Sequence, residues 1–142
     1  MFIRAIVSAL IFLLLTGCYV PLDDHDPRHT HHTKGNPLIL DARAGCAWNY
    51  SYSDYVWYFD AWVDHEEGFD HVYEIWADVW DGHVLIDSLP LRHDRVTHWV
   101  SQWREWTETN LWCEDYMFYE VEFFAYDWDG NVDIVTIWPN QY

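Results

Sequence analysis

The sequence predicts an all-β domain built as a two-layer antiparallel sandwich. Three observations carry this expectation. Apolar and polar residues alternate with period two over several runs, residues 55–64, 71–81 and 117–126 among them, which is the pattern of half-buried strands. Aromatic residues make up 20% of the chain, with 11 Trp, 10 Tyr and 7 Phe, and these side chains favour pleated surfaces. Turn signals such as Asp81-Gly82 and Asp129-Gly130 separate the runs, as in sandwiches and barrels. A small β-barrel is the alternative architecture.

The folded domain is placed at residues 37–142. Leu38-Ile39-Leu40 is a short apolar strand candidate, and residues 42–52 carry Cys46, Trp48, Tyr50 and Tyr52 at period two. In residues 55–64, Trp57, Phe59, Ala61 and Val63 alternate with Tyr58, Asp60, Trp62 and Asp64; the first set is expected to face the core. In residues 71–81, Tyr73, Ile75, Ala77 and Val79 alternate with Glu74, Trp76, Asp78 and Trp80. Residues 65–70, polar and holding Gly68, read as a hairpin loop between these two strands.

Asp81-Gly82 marks a tight turn. Residues 83–89 form a shorter strand that Pro90 is expected to stop. Residues 92–112 read two ways. Val96, Trp99, Trp103 and Trp106 fall at helical spacing, while Trp103, Glu105, Thr107, Thr109 and Leu111 alternate; a strand plus a turn is the expectation. Met117, Tyr119, Val121, Phe123 and Ala125 then alternate with Phe118, Glu120, Glu122, Phe124 and Tyr126. Asp129-Gly130 or Gly130-Asn131 turns the chain, and residues 132–138 return until Pro139.

Ahead of the domain, Arg4 supplies one positive charge and residues 5–15 are apolar apart from Ser8. That run is shorter than the roughly 20 residues of a membrane-spanning helix and fits a secretory leader. It closes on Leu15-Thr16-Gly17-Cys18, which resembles the lipobox of bacterial lipoproteins. The resemblance covers residues 1–18. It implies a signal peptide at residues 1–17, cleavage before Cys18, a diacylglyceryl thioether on Cys18 and an acylated amino group. The implied partner is the membrane, reached through the lipid anchor, and the implied location is the cell envelope. Tyr19 stands where an Asp would resemble an inner-membrane retention signal, so the outer membrane is expected if the host is Gram-negative. An ordinary leader with an incidental cysteine is the alternative reading.

Residues 18–36 are then a flexible acidic and His-rich tether, long enough to reach roughly 60 Å when extended. Its His25, His29, His31 and His32 lie among Asp23, Asp24 and Asp26. Imidazole and carboxylate suit zinc, copper or nickel, but the spacing matches no closed structural zinc pattern. The tether is a solvated linker or a weak metal trap.

With Cys18 assigned to lipid, Cys46 and Cys113 remain as an even pair in an oxidising compartment. A disulfide between them is expected, worth about 4 kcal/mol in the chain-entropy model; two buried thiols or a metal pair are the alternatives. The ending "FFAYDWDGNVDIVTIWP" resembles the final hairpin of immunoglobulin-like and fibronectin-III-like bacterial domains, which implies an immunoglobulin-like sandwich. The cysteine positions depart from the antibody pattern and would tie the sandwich edge.

Twenty-four acidic residues against 7 basic ones give a formal net charge of −17. All the acids follow Cys18. Such a surface repels nucleic acid and anionic headgroups; it suits solubility, cation binding or a basic partner. Four groups of residues are candidates for chemistry. Tyr58, Trp62, Trp76 and Trp80 point outward among carboxylates and form a candidate binding face for a protein or a glycan, or simply stabilise the sheet in cross-strand pairs. Asp127, Asp129 and Asp133 surround a Gly-containing turn and are a candidate calcium set, although the same segment is an ordinary hairpin turn. Residues 64–70 form a second oxygen-rich turn. Glu120 and Glu122 lie roughly 7 Å apart on one strand face, a spacing that inverting glycosidases also show. No nucleophile elbow, phosphate-cradling loop or His-Glu-x-x-His motif is present in the sequence, and no cofactor is expected. The expected function is therefore a lipid-anchored, non-catalytic sandwich domain for protein interaction or envelope structure. A carbohydrate-binding module is the alternative, and a glycoside hydrolase the least favoured reading.

Overall fold

A computed structural model describes residues 35–105 and 107–141. The leader, Cys18 and the tether histidines His25, His29, His31 and His32 lie outside the described residues. The strands are β1 (Pro37–Asn49), β2 (Asp54–His65), β3 (Val72–Asp81), β4 (Val84–Arg95), β5 (His98–Arg104), β6 (Tyr119–Asp127), β7 (Val132–Ile137) and β8 (Asn140–Gln141). Two 3-10 segments, Phe69–His71 and Cys113–Phe118, precede β3 and β6.

The hydrogen-bonded order is β7-β6-β3-β4-β5-β2-β1-β8. All pairs are antiparallel except the short β1–β8 pair. β4 serves both layers. From Val84 to Leu91 it pairs with β3, and through Arg92, His93 and Arg95 it pairs with β5. One layer is thus β1, β2, β5 and the end of β4; the other is the start of β4 with β3, β6 and β7. This is the Greek-key order of an immunoglobulin-like sandwich. The outer edges also meet, because Ile39 on β1 donates its backbone N–H to Asp133 Oδ2 on β7 at 2.8 Å. The sheet is therefore nearly closed, and sandwich and flattened barrel describe the same object.

Alternation places the core as expected on β2: Trp57, Phe59, Ala61 and Val63 are fully buried. They face Tyr119, Val121, Phe123 and Ala125 of β6, also buried. Ring contacts cross between the layers: Trp57 to Tyr119 at 5.8 Å and Phe59 to Phe123 at 6.4 Å. Truncating an aromatic of this kind to Ala costs about 3–5 kcal/mol. Gly82 (φ 58°) and Gly130 (φ 84°) take up the left-handed backbone that the β3–β4 and β6–β7 turns need.

The disulfide joins Cys46 and Cys113, with Cα atoms 5.6 Å apart and a sequence separation of 67. Both cysteines are buried in the core cluster. The bridge fastens β1 to the segment that crosses over to β6. The buried Glu105 supports this corner by accepting the Cys113 N–H at 2.7 Å.

Several local expectations are corrected. Residues 38–40 and 42–52 do not form separate strands; they belong to β1, which bulges between Ile39 and Asp41 and ends at Asn49. β2 and β3 are not a hairpin: β2 pairs with β1 and β5, and β3 with β4 and β6, so residues 65–70 link the two layers. Pro90 does not stop β4. It sits opposite Trp76, next to the point where β4 changes layers, where a missing N–H harms the ladder least. Tyr73 and Met117 face solvent instead of the core, Tyr73 because β3 bulges between Val72 and Glu74 and Met117 because it precedes β6 in a 3-10 segment. Residues 98–104 form a strand, so a strand is present in this stretch, but the alternation read from Trp103 to Leu111 is not it: the described residues from 105 to 112 are not strand.

Candidate binding face

The two layers divide the expected aromatic face. Tyr58 and Trp62 lie on the outside of one layer, Trp76 and Trp80 on the outside of the other. The four do not form one surface.

On the β1-β2-β5 side several of the acids have a basic partner within the chain. The Arg43 guanidinium lies 5.1 Å from the Trp62 ring centroid, and the His98 ring stacks on Trp62 at 4.4 Å. His98 lies between Asp60 (Nε2 to Oδ1, 3.3 Å) and Asp94 (Nδ1 to Oδ2, 3.1 Å), while Arg43 pairs with Asp41 at 2.7 Å. Asn49 Nδ2 donates to the Tyr58 hydroxyl at 2.9 Å. These rings and acids are already partnered within the chain.

The β4-β3-β6-β7 side differs. Register sets residues in rows across the strands, because side chains on one face of paired strands stand opposite one another. Pro90, Trp76, Phe124 and Ile134 form one apolar row across all four strands. Ser88, Asp78, Glu122 and Thr136 form the next. Glu74, Tyr126 and Val132 flank the apolar row on its other side. An open cavity of about 310 Å³ is lined by Glu74, Trp76, Asp78, Ser88, Phe124 and Tyr126. The Phe124 and Tyr126 rings are nearly parallel, 11° apart with centroids at 6.4 Å. Tyr73 extends the aromatic surface, lying 6.4 Å from Tyr126 and 4.9 Å from Trp128.

The electrostatics of this face are one-sided. Asp78 and Glu122 stand directly opposite each other, an arrangement that destabilises a sheet. Among the described residues, none of Glu74, Asp78, Glu120 and Glu122 is in an ion pair; Asp78 Oδ1 accepts the Ser88 hydroxyl at 2.5 Å. Burial, and after it the negative charge of Asp78 and Glu74, raises the Tyr126 hydroxyl above its ordinary pKa. Trp80 stands opposite Glu120 and Leu85 on the same layer.

The other sequence candidates are placed as follows. Asp127 is buried, and its oxygens accept the N–H groups of Asp129 (2.9 Å) and Asn131 (2.8 Å) and the Asn131 side-chain amide (2.8 Å). Burial pushes its pKa up, but these bonds and His65 outweigh burial and hold it below the usual value. Asp133 is buried at the β1–β7 edge, and Asp129 is exposed at the turn. The turn thus uses Asp127 as a hydrogen-bond hub, and among the described residues Asp127, Asp129 and Asp133 are not drawn together as a donor group. Glu120 and Glu122 project on the same outer face of β6. Pro90, Ser88 and Ile134 were not legible as parts of a site, because only register joins them to Trp76 and Phe124. A further grouping, His65, Glu67 and His71, lies outside these candidates; its signal in the sequence is a His-x-Glu-x-x-x-His spacing around Gly68.

No protein-family model matches the chain, and no curated protein matches it.

Proposed function

We propose that this chain is a lipid-anchored cell-envelope protein whose non-catalytic β-sandwich binds a protein partner through the outer face of β4-β3-β6-β7. The observation that carries the binding reading is the row Pro90–Trp76–Phe124–Ile134 beside the facing carboxylates Asp78 and Glu122. Half-buried aromatics supply the apolar anchors that dominate protein interfaces. Carboxylates left without a cation in the chain favour a basic partner, which also relieves their mutual repulsion. The anchor rests on Leu15-Thr16-Gly17-Cys18 and the apolar run before it. Each buried methylene of an acyl chain contributes roughly 0.8 kcal/mol, so two or three chains hold the domain firmly at the membrane.

Glycan binding is the second reading, favoured by the cavity in which Trp76, Phe124 and Tyr126 meet Glu74, Asp78 and Ser88. Rings of this kind stack on sugar faces while carboxylates accept hydrogen bonds from the hydroxyls. A glycan panel separates the two: retention of one sugar class that disappears in Trp76→Ala supports the module reading, and a blank panel supports the protein reading. Intact-mass analysis of detergent-extracted protein tests the anchor. The expected species begins at Cys18 and carries diacylglycerol; a soluble chain with an unmodified cysteine contradicts it.

A further inference from the structure

His65 closes β2, and its side chain is only 1% exposed. Glu67 and His71, two and six residues on, are 56% and 40% exposed. The backbone between them reverses at Gly68 (φ 105°) and enters the 3-10 segment Phe69–His71. A side chain at Gly68 would bring its Cβ within 2.9 Å of Asp70 Oδ1, so a glycine suits the reversal in both respects. The turn brings His71 over His65, with ring centroids 5.3 Å apart and planes 14° from parallel. His71 Nδ1 lies 3.0 Å from Glu67 Oε2. One donor atom from each of the three residues lies within 4.8 Å of the others.

We propose that His65, Glu67 and His71 form a binding site for a divalent transition metal of the zinc class. Two imidazoles and one carboxylate are a donor set that zinc accepts, and a hard, oxygen-seeking cation such as calcium does not prefer it. The independent observation is behind the donors. Nε2 of His65 faces Oδ2 of the buried Asp127 at 3.4 Å, and metal-ligating histidines give their second ring nitrogen to such a carboxylate. Asp127 is itself fixed by three hydrogen bonds from Asp129 and Asn131. That arrangement directs Nδ1 of His65 toward the turn. Nδ1 accepts the Glu67 N–H at 3.1 Å; a metal replaces that bond, and the amide of the exposed Glu67 turns to water. Reaching Zn–N distances of about 2.0–2.1 Å requires rotation of the exposed Glu67 and His71 side chains and a shift of the turn backbone that frees His65 Nδ1 from the Glu67 N–H. Three protein donors leave the fourth tetrahedral position to water.

The test uses the full chain carrying His25→Ala, His29→Ala, His31→Ala and His32→Ala, so that tether histidines do not bind the probe. Cobalt(II) is titrated first and displaced with zinc. The expected result is one equivalent of cobalt with the visible absorption of a four-coordinate site, displaced by zinc and untouched by calcium. His71→Ala and Glu67→Gln, both at exposed side chains, should each weaken binding at least about tenfold while circular dichroism stays unchanged. Absence of cobalt binding, or an affinity in both variants equal to that of the parent, overturns the proposal.

Discussion

Asp133 on β7 accepts the backbone N–H of Ile39 on β1 at 2.8 Å, across 94 residues of sequence. Both residues are buried. This bond ties β7, at one end of the strand order, to β1, next to the other end, and it satisfies an amide that would be costly to bury alone. Hydrogen bonds to charged groups contribute about 1.5–3 kcal/mol. Asp133→Ala should therefore lower the free energy of unfolding by about that amount in urea titrations, and Asp133→Asn, which keeps an acceptor, by less. An Ala variant as stable as the parent contradicts the role given to this edge.

The disulfide makes a second, separable contribution. It closes a loop across 67 positions, for which the chain-entropy model gives about 4 kcal/mol. Reduction should lower the unfolding midpoint by an amount that the Cys46→Ala/Cys113→Ala double variant reproduces and that added reductant does not increase further. Midpoints that coincide with and without reductant contradict this contribution.

Asp127 predicts a pH dependence. Burial raises its pKa, but the hydrogen bonds from Asn131, His65 and Asp129 outweigh burial and hold it below the ordinary value of 3.8. A carboxyl depressed in the folded state contributes stability that is fully present above its unfolded pKa and is lost as the pH falls through the folded value. Asp127→Asn should accordingly be less stable than the parent at neutral pH, and the two stability curves should converge as the pH drops below 3.8. Curves separated by a constant amount throughout that range contradict the assignment.

Much of this fold was legible because period-two alternation reports burial directly. Trp57, Phe59, Ala61 and Val63 face inward for that reason. Tyr73 was misread because a bulge between Val72 and Glu74 changes the phase of the alternation, and a bulge leaves no periodic mark. Pro90 was read as a stop because a proline lacks an N–H; its position at a change of layers depends on which strands flank β4, which is a long-range property. The binding face was partly legible. Trp76 is outward by alternation, but its row with Pro90, Phe124 and Ile134 exists only through the register of four strands. The residues at 64–70 were noticed as oxygen-rich, whereas the pairing of His65 with His71 needed the turn to be closed in space.

The proposed binding surface is tested most directly by cross-linking the full chain in the cells that produce it. Three forms are compared: the parent, Trp76→Ala/Tyr126→Ala on the β4-β3-β6-β7 face, and Trp62→Ala on the opposite layer. Side chains at these positions are only partly buried, so each variant should remain folded by circular dichroism. A discrete adduct is expected in the parent, retained in Trp62→Ala and reduced at least about tenfold in Trp76→Ala/Tyr126→Ala, the loss expected when interface anchors worth 1.4 kcal/mol or more are removed. An adduct that survives in Trp76→Ala/Tyr126→Ala, or one that depends on Trp62 instead, contradicts the assignment of this face.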